Sequence, residues 1–137
     1  MILSTALTCL ALNIYHEGRG EPELGKKIIA QTTINRARDN NSNVCAEVMR
    51  PSQFSWTKHL VVGRTLRPAG KPQEQDTWEE CQMIARKALG GSLDVPTKYR
   101  NVSNFHTPST RPKWRHDFTS LGRVGGHVYY KPKNYPE

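Results

Sequence analysis

Leu3, Leu7, Leu10 and Ile14 recur at the three- and four-residue steps of a helix, while Ala6, Ala11 and Leu12 fill its other faces. A helix apolar all round has no side to give to water, so the pattern predicts a buried first helix ending near Glu17. Gly18 and Gly20 follow, and either can take the left-handed backbone that stops a helix. Pro22 suits a first-turn position, and Leu24, Ile28, Gln31 and Ile34 form one stripe of a second helix running to about Arg38. Asp39 to Asn43 is a polar loop, and Val44 to Met49 is a short helical turn or strand. Four prolines or glycines between Gly63 and Pro72 make the stretch from Pro51 to Gln75 irregular or hairpin-like. Thr77 and Glu80 have the spacing of a capping box, ahead of an apolar face of Cys81, Ile84, Ala85, Ala88 and Leu89 that Gly90-Gly91 ends. After Pro96 the chain is aromatic, basic and rich in turns, with Val128-Tyr129-Tyr130 as its clearest strand. The pattern is α+β: helices around a buried first helix, and a small irregular sheet lining a cleft.

A chain of 137 residues is one domain's worth, too short for a second binding module of ordinary size, so residues 1–137 are expected to form one unit. Its net charge of +8 favours polyanionic partners: nucleic acid, anionic lipid, or a bacterial wall carrying carboxylates and phosphates. The basic residues are scattered from Lys26 to Lys133 with no zinc-finger, RNP or basic-zipper pattern, which argues against nucleic acid. The apolar stretch from Ile2 to Leu12 has no Lys or Arg ahead of it and runs straight into Glu17, unlike a cleavable signal peptide. No other segment has the length of a membrane span, so stable membrane insertion is not expected. Three cysteines allow at most one disulfide and leave one thiol; Cys9 on the apolar helix and Cys81 on a core stripe read as small buried side chains.

Glu17 carries the clearest chemistry. It sits where the apolar helix gives way to glycines, beside Ile14 and Tyr15 and near the negative end of the helix dipole. Desolvation and dipole both favour its protonated form, the state a general acid needs, and Arg19 opposes them. The plainer reading is a solvated helix-end acid paired with Arg19.

Three ordered blocks extend the pattern. The first is Ala11-Leu12-Asn13-Ile14-Tyr15-His16-Glu17-Gly18-Arg19-Gly20-Glu21-Pro22, followed by Ile29-Ala30-Gln31-Thr32-Thr33-Ile34-Asn35-Arg36. The second is Val44-Cys45-Ala46-Glu47-Val48, leading into Gln53-Phe54-Ser55-Trp56. The third is Asn104-Phe105-His106, Pro112-Lys113-Trp114 and Gly125-Gly126-His127-Val128-Tyr129-Tyr130. In this order they resemble the cell-wall hydrolase family of spore-cortex-lytic enzymes and their bacteriophage relatives. Gly18 departs from the family's usual Ala, and Val102-Ser103 from its usual Gly-Ala pair. The resemblance implies a lysozyme-like, lytic-transglycosylase-like fold and a single catalytic domain. It implies a peptidoglycan glycosidase acting on the linkage between N-acetylmuramic acid and N-acetylglucosamine. It further implies a monomer that binds glycan strands, needs no cofactor or metal, is made in a host cytoplasm without a signal peptide, and reaches the wall after holin-type release or within a virion.

Ordinary glycosidases use two carboxyl groups, roughly 5 to 5.5 Å apart for retention or about 6.5 to 9.5 Å for inversion. Only Glu17 is well placed; Glu21 and Glu23 read as first-turn acids of the second helix, and Asp94 and Asp117 fall in late loops. One acid suffices for a lytic transglycosylase, in which the same Glu protonates the glycosidic oxygen and then serves as base while the sugar's 6-hydroxyl closes a 1,6-anhydro ring. By family position Gln53, Ser55, Trp56, Asn104, His106, His127 and Tyr129 would bind substrate. The alternatives are a muramidase-type hydrolase with a second carboxylate, a metal-dependent amidase, and a non-catalytic wall-binding virion protein. For the amidase, His16-Glu17 begins a zincin motif, but position 20 is Gly where the second His should stand.

Overall fold

Helix α1, Ala6–Gly18, starts where the Thr5 side chain accepts a hydrogen bond from the Thr8 amide at 3.0 Å. Cys9 through Tyr15 are all buried, two full turns with no solvent face, as an all-round apolar helix requires. The computed structural model describes residues 5–50 and 74–133. Within them α1 is surrounded by α2 (Glu23–Asp39), α3 (Val44–Met49) and α4 (Gln75–Leu89).

The buried face of α2 differs from the expected stripe. Ile28 is enclosed, but Leu24, Gln31 and Ile34 are only half-buried, and Ile29, Thr32, Thr33, Asn35 and Ala37 are buried instead. Short polar side chains can be enclosed here because each finds a partner. Thr32 donates to the Ile28 carbonyl at 2.8 Å, Asn13 of α1 donates to the Thr33 hydroxyl at 2.9 Å, and the Asn35 amide donates to the carbonyls of Arg100 and Val102 at 2.9 and 2.8 Å. Pro22 occupies the cap position, one residue ahead of the helix.

Residues Val44 to Met49, left open by the sequence, are helical because Asn43 caps them, its side-chain oxygen accepting from the Ala46 amide at 2.8 Å. The capping box expected at Thr77 and Glu80 does not form. Helix α4 begins two residues earlier, at Gln75, and Glu80 pairs with Lys26 of α2 at 3.1 Å. Its far end is as expected: Gly90 caps it and Gly91 takes a φ of 77°.

Three antiparallel strands complete the described fold: β1 (Asn104–His106), β2 (Phe118–Val124) and β3 (His127–Pro132), in the order β1-β3-β2. The clearest predicted strand, Val128 to Tyr130, lies inside the central β3. One face of the sheet turns toward the helices, where Tyr129 is fully buried and its hydroxyl donates to the Gly25 carbonyl of α2 at 3.4 Å. The architecture is mainly helical α+β with a small open sheet.

Cys9 is no free thiol. It forms a disulfide with Cys45 that ties α1 to α3, with Cα atoms 5.2 Å apart. Sequence alone could not pair them, because 36 residues separate the two. Cys81 is the remaining thiol, buried as expected, and desolvation pushes it up to about 12, far from a reactive thiolate.

Two tests follow from this packing. Closing a loop of that span is worth roughly 4 kcal/mol in the chain-entropy model, so Cys45→Ser or added reductant should lower the melting temperature by about 10 °C; superimposable melts would show that the bridge does not form in solution. The second concerns Gly18, where a Cβ would sit 2.6 Å from the enclosed Ile29 Cδ1. Ile29→Val should cost about 1 kcal/mol in the wild type, yet be neutral or stabilising in a Gly18→Ala background. Additive effects in that double-mutant cycle would contradict the close approach.

Candidate active site

The end of α1 is not built on left-handed glycines. The helix continues through Gly18, and Arg19 at its cap keeps helical backbone with φ −60°, its amide bonded to the Tyr15 carbonyl. Gly18 is required for closeness, letting Ile29 of α2 press against the backbone where a side chain would collide. Glu17 therefore stands in the last turn of a helix whose interior is sealed.

Arg19 does not neutralise it. The guanidinium lies 3.1 Å from Glu74 Oε1 and over the Tyr15 ring, and the Tyr15 hydroxyl donates to the other Glu74 oxygen. Among the described residues no side chain pairs with the half-buried Glu17 carboxyl, and desolvation raises it to about 7. A carboxylic acid that holds its proton up to neutral pH can deliver that proton to a leaving group. The plainer reading of Glu17 as a partner of Arg19 is thus excluded by where Arg19 goes.

Glu21, four residues on, has a different setting. It precedes α2 rather than lying in its first turn, so its expected role as a dipole-stabilised helix acid does not hold. Its Oε1 accepts the Gly126 amide at 2.8 Å and lies 3.3 Å from His127 Nδ1. The carboxylate thus reaches the turn between β2 and β3. Its only sequence sign was the pair Gly125-Gly126, whose lack of side chains makes room for it.

The predicted substrate residues on the sheet divide between its two faces. Tyr129 and His127 share a face with Phe105, with ring centroids 4.9 Å apart for Phe105 and His127 and 5.5 Å for Phe105 and Tyr129. This is the face toward Glu17 and Glu21, whose charges help burial push the Tyr129 phenol up. Tyr129 is fully enclosed and His127 nearly so, and the two form a packed wall beside Glu21. Asn104 and His106 lie on the opposite face, where His106 stacks on Tyr130 and meets Trp114 edge-on. His106 Nδ1 lies 2.7 Å from the Thr107 carbonyl, which can only accept, so that nitrogen carries the proton. In the neutral ring Nε2 is left to accept from the Tyr130 hydroxyl at 2.8 Å. Gln53, Ser55 and Trp56 fall outside the described residues. Asp94 and Asp117 are exposed. Among the described residues no three His, Cys, Asp or Glu side chains gather in a way that could hold a metal ion.

The desolvated acid has a cost in stability with a definite sign. A carboxyl whose pKa rises on folding to about 7 binds its proton more tightly in the native state, so stability falls as pH rises from the unfolded value of 4.5 through 7. The loss above that window is on the order of 3 kcal/mol. Glu17→Gln removes the penalty, so the variant should melt several degrees above the wild type at pH 8 and level with it at pH 4. Equal melts at both values would mean that Glu17 is not desolvated.

The chain matches the model of the Cell Wall Hydrolase family over residues 20–130, a span that opens three residues after Glu17. No curated protein matches it. Among solved structures it is similar to the catalytic domain of the Bacillus cereus SleB protein, with a TM-score of 0.70 and 21% identity over 96% of this chain and 93% of that one. It is equally similar to the catalytic domain of the germination-specific lytic transglycosylase SleB from Bacillus anthracis, with a TM-score of 0.70 and 21% identity over 94% of this chain and 97% of that one. At that identity the likeness establishes a shared fold, and it extends through Glu17 to nearly the whole chain. With most of its length matched, the chain belongs to the cell wall hydrolase family.

Proposed function

We propose that this protein is a peptidoglycan glycosidase of the lytic transglycosylase type, with Glu17 as acid and then base. The observation that carries the reading is the Glu17 carboxyl at the end of a sealed helix, unpaired among the described residues and protonated to about pH 7 by burial alone. Membership of a cell wall hydrolase family gives the substrate class, and one fold relative is itself a lytic transglycosylase.

In the proposed reaction Glu17 gives its proton to the glycosidic oxygen as the bond from the muramic acid C1 breaks, and the departing sugar leaves as an alcohol. The 6-hydroxyl of the same muramic acid then bonds to C1. Glu17, now a carboxylate, takes the proton from that hydroxyl and returns to its starting form. No outside reactant is consumed. A hydrolytic outcome would need a second carboxylate to activate water, and Glu21 is the nearest acid in sequence. One of its oxygens is already occupied by the Gly126 amide, which favours the one-acid route.

Glu17→Gln preserves size while removing the transferable proton, so activity on purified sacculi should fall by about 10² to 10⁴-fold, or further where one residue serves both steps. Mass spectrometry of the digest should show muropeptides ending in 1,6-anhydro-N-acetylmuramic acid. Label from heavy-oxygen water at new reducing ends would establish hydrolysis instead, and a Glu17→Gln variant of near wild-type rate would remove Glu17 from the chemistry.

A further inference from the structure

Four glycines stand along one side chain. A Cβ at Gly125 would stand 2.5 Å from Glu21 Oε1, one at Gly126 3.0 Å from Oε2, one at Gly25 3.1 Å from the Glu21 Cβ, and one at Gly18 3.7 Å from its Cγ. Those at 25, 125 and 126 come from the first turn of α2 and the β2–β3 turn, so two separate parts of the chain leave space for the same side chain, while Gly18 at the end of α1 would meet it only in ordinary contact. The backbone of Glu21 is fixed as well. Buried Lys26 donates to the Glu21 carbonyl at 2.6 Å and pairs with Glu80 of α4 at 3.1 Å. His127 Nδ1 is buried without a well-formed hydrogen bond, and the Glu21 carboxylate 3.3 Å away faces it.

We propose that Glu21 is a positioning residue of the reaction: it clasps the β2–β3 turn to the end of α1, and so holds the wall of His127 and Tyr129 at a fixed distance from the catalytic acid. This rests on Glu17 being that acid. The side chain of Glu21 lies against Gly18, the residue after Glu17, and its carboxylate grips Gly126, the residue before β3. A shift of the turn would carry β3 with it and change the space in which the sugar must sit. Misplacement of about 1 Å at a reacting centre can cost on the order of 100-fold in rate. What the clasp requires of residue 21 is an acceptor for the Gly126 amide, not a proton to transfer.

That requirement separates positioning from catalysis. Glu21→Gln keeps an oxygen for the Gly126 amide, so kcat on a soluble glycan should stay within about threefold of wild type. Glu21→Ala removes it, and kcat should fall by about 10 to 100-fold while KM and adsorption to sacculi hold. Gly126→Ala, which displaces the carboxylate and leaves both acids in place, should reproduce that kcat loss and decides the matter if Glu21→Ala does not fold. All rates are to be read well below each variant's melting temperature, since a merely structural role would lower that temperature and leave kcat per folded molecule unchanged. Wild-type kcat in the folded Ala variants would overturn the proposal. So would a Glu21→Gln variant as inactive as Glu17→Gln, which would make Glu21 a second catalytic carboxylate. Glu17→Gln alone tests the acid assignment: if it is inactive while Glu21→Ala is unimpaired, only the clasp fails.

Discussion

The enclosure of α1 is the constraint on which the rest of the structure depends. Seven consecutive buried residues, Cys9 to Tyr15, leave the helix no exposed face, so every neighbouring element must cover some part of it. α2, α3 and α4 do so, and the disulfide to Cys45 fastens one of them covalently. Enclosure also sets the protonation state of Glu17. A carboxyl two residues beyond that sealed segment is only partly hydrated, and the free energy that desolvation withdraws from its ionised form is what keeps it protonated near neutral pH. Stability is thereby lost at this position above neutral pH, and the packed helix beneath supplies it.

Polar groups enclosed by the same packing join the helices to the later chain. The Asn35 amide bonds two carbonyls at Arg100 and Val102, holding the approach to β1 against α2. Fully buried Glu47 of α3 is met by Asn40 at 3.0 Å, Arg50 at 3.1 Å and Arg36 at 3.5 Å, and Arg36 reaches on to the Ser103 carbonyl at 3.3 Å. An enclosed carboxylate left without such partners would destabilise the fold by several kcal/mol. The sheet is therefore attached by hydrogen bonds as much as by apolar contact, which suits a domain whose described core is centred on one helix.

Hydrophobic period revealed the parts of this fold that obey it. It located α1 and the apolar face of α4 at Cys81, Ile84 and Ala85, though Leu89, counted on that face, is exposed in the last turn; the two glycines after α4 marked its end. It misjudged α2, where Thr32, Thr33 and Asn35 are buried because distant partners satisfy them, and a period cannot report such partners. It also missed the outer strands. β1 is three residues long, and β2 exposes four of its seven residues with a bulge between Ser120 and Gly122, so neither alternates regularly. Glu17 was legible because its surroundings are local, the helix that carries it. The pairing with Arg19 in the plainer reading does not form because Glu74, the partner of Arg19, lies 55 residues away, beyond the reach of local pattern. Glu21 was misread for a like reason, since its partner Gly126 is 105 residues distant.

Glu17 and Glu21 show how two identical side chains, one helical turn apart in sequence, come to unlike surroundings. Glu17 ends a helix that has already spent its polar contacts inward, and nothing described approaches its carboxyl with a hydrogen or a positive charge. Glu21 lies past the helix, where the chain turns toward α2, and its carboxylate meets an amide and an imidazole from the far end of the chain. A bonded carboxylate is directional and can locate a turn, whereas an unbonded, desolvated one is poor at holding anything but is suited to releasing a proton. A second ionised acid free to activate water beside Glu17 would favour hydrolysis. On the reading proposed for Glu17, engaging Glu21 with the β2–β3 turn would leave the departing proton and the returning proton to the same residue, the condition that ring closure by the sugar's own hydroxyl requires.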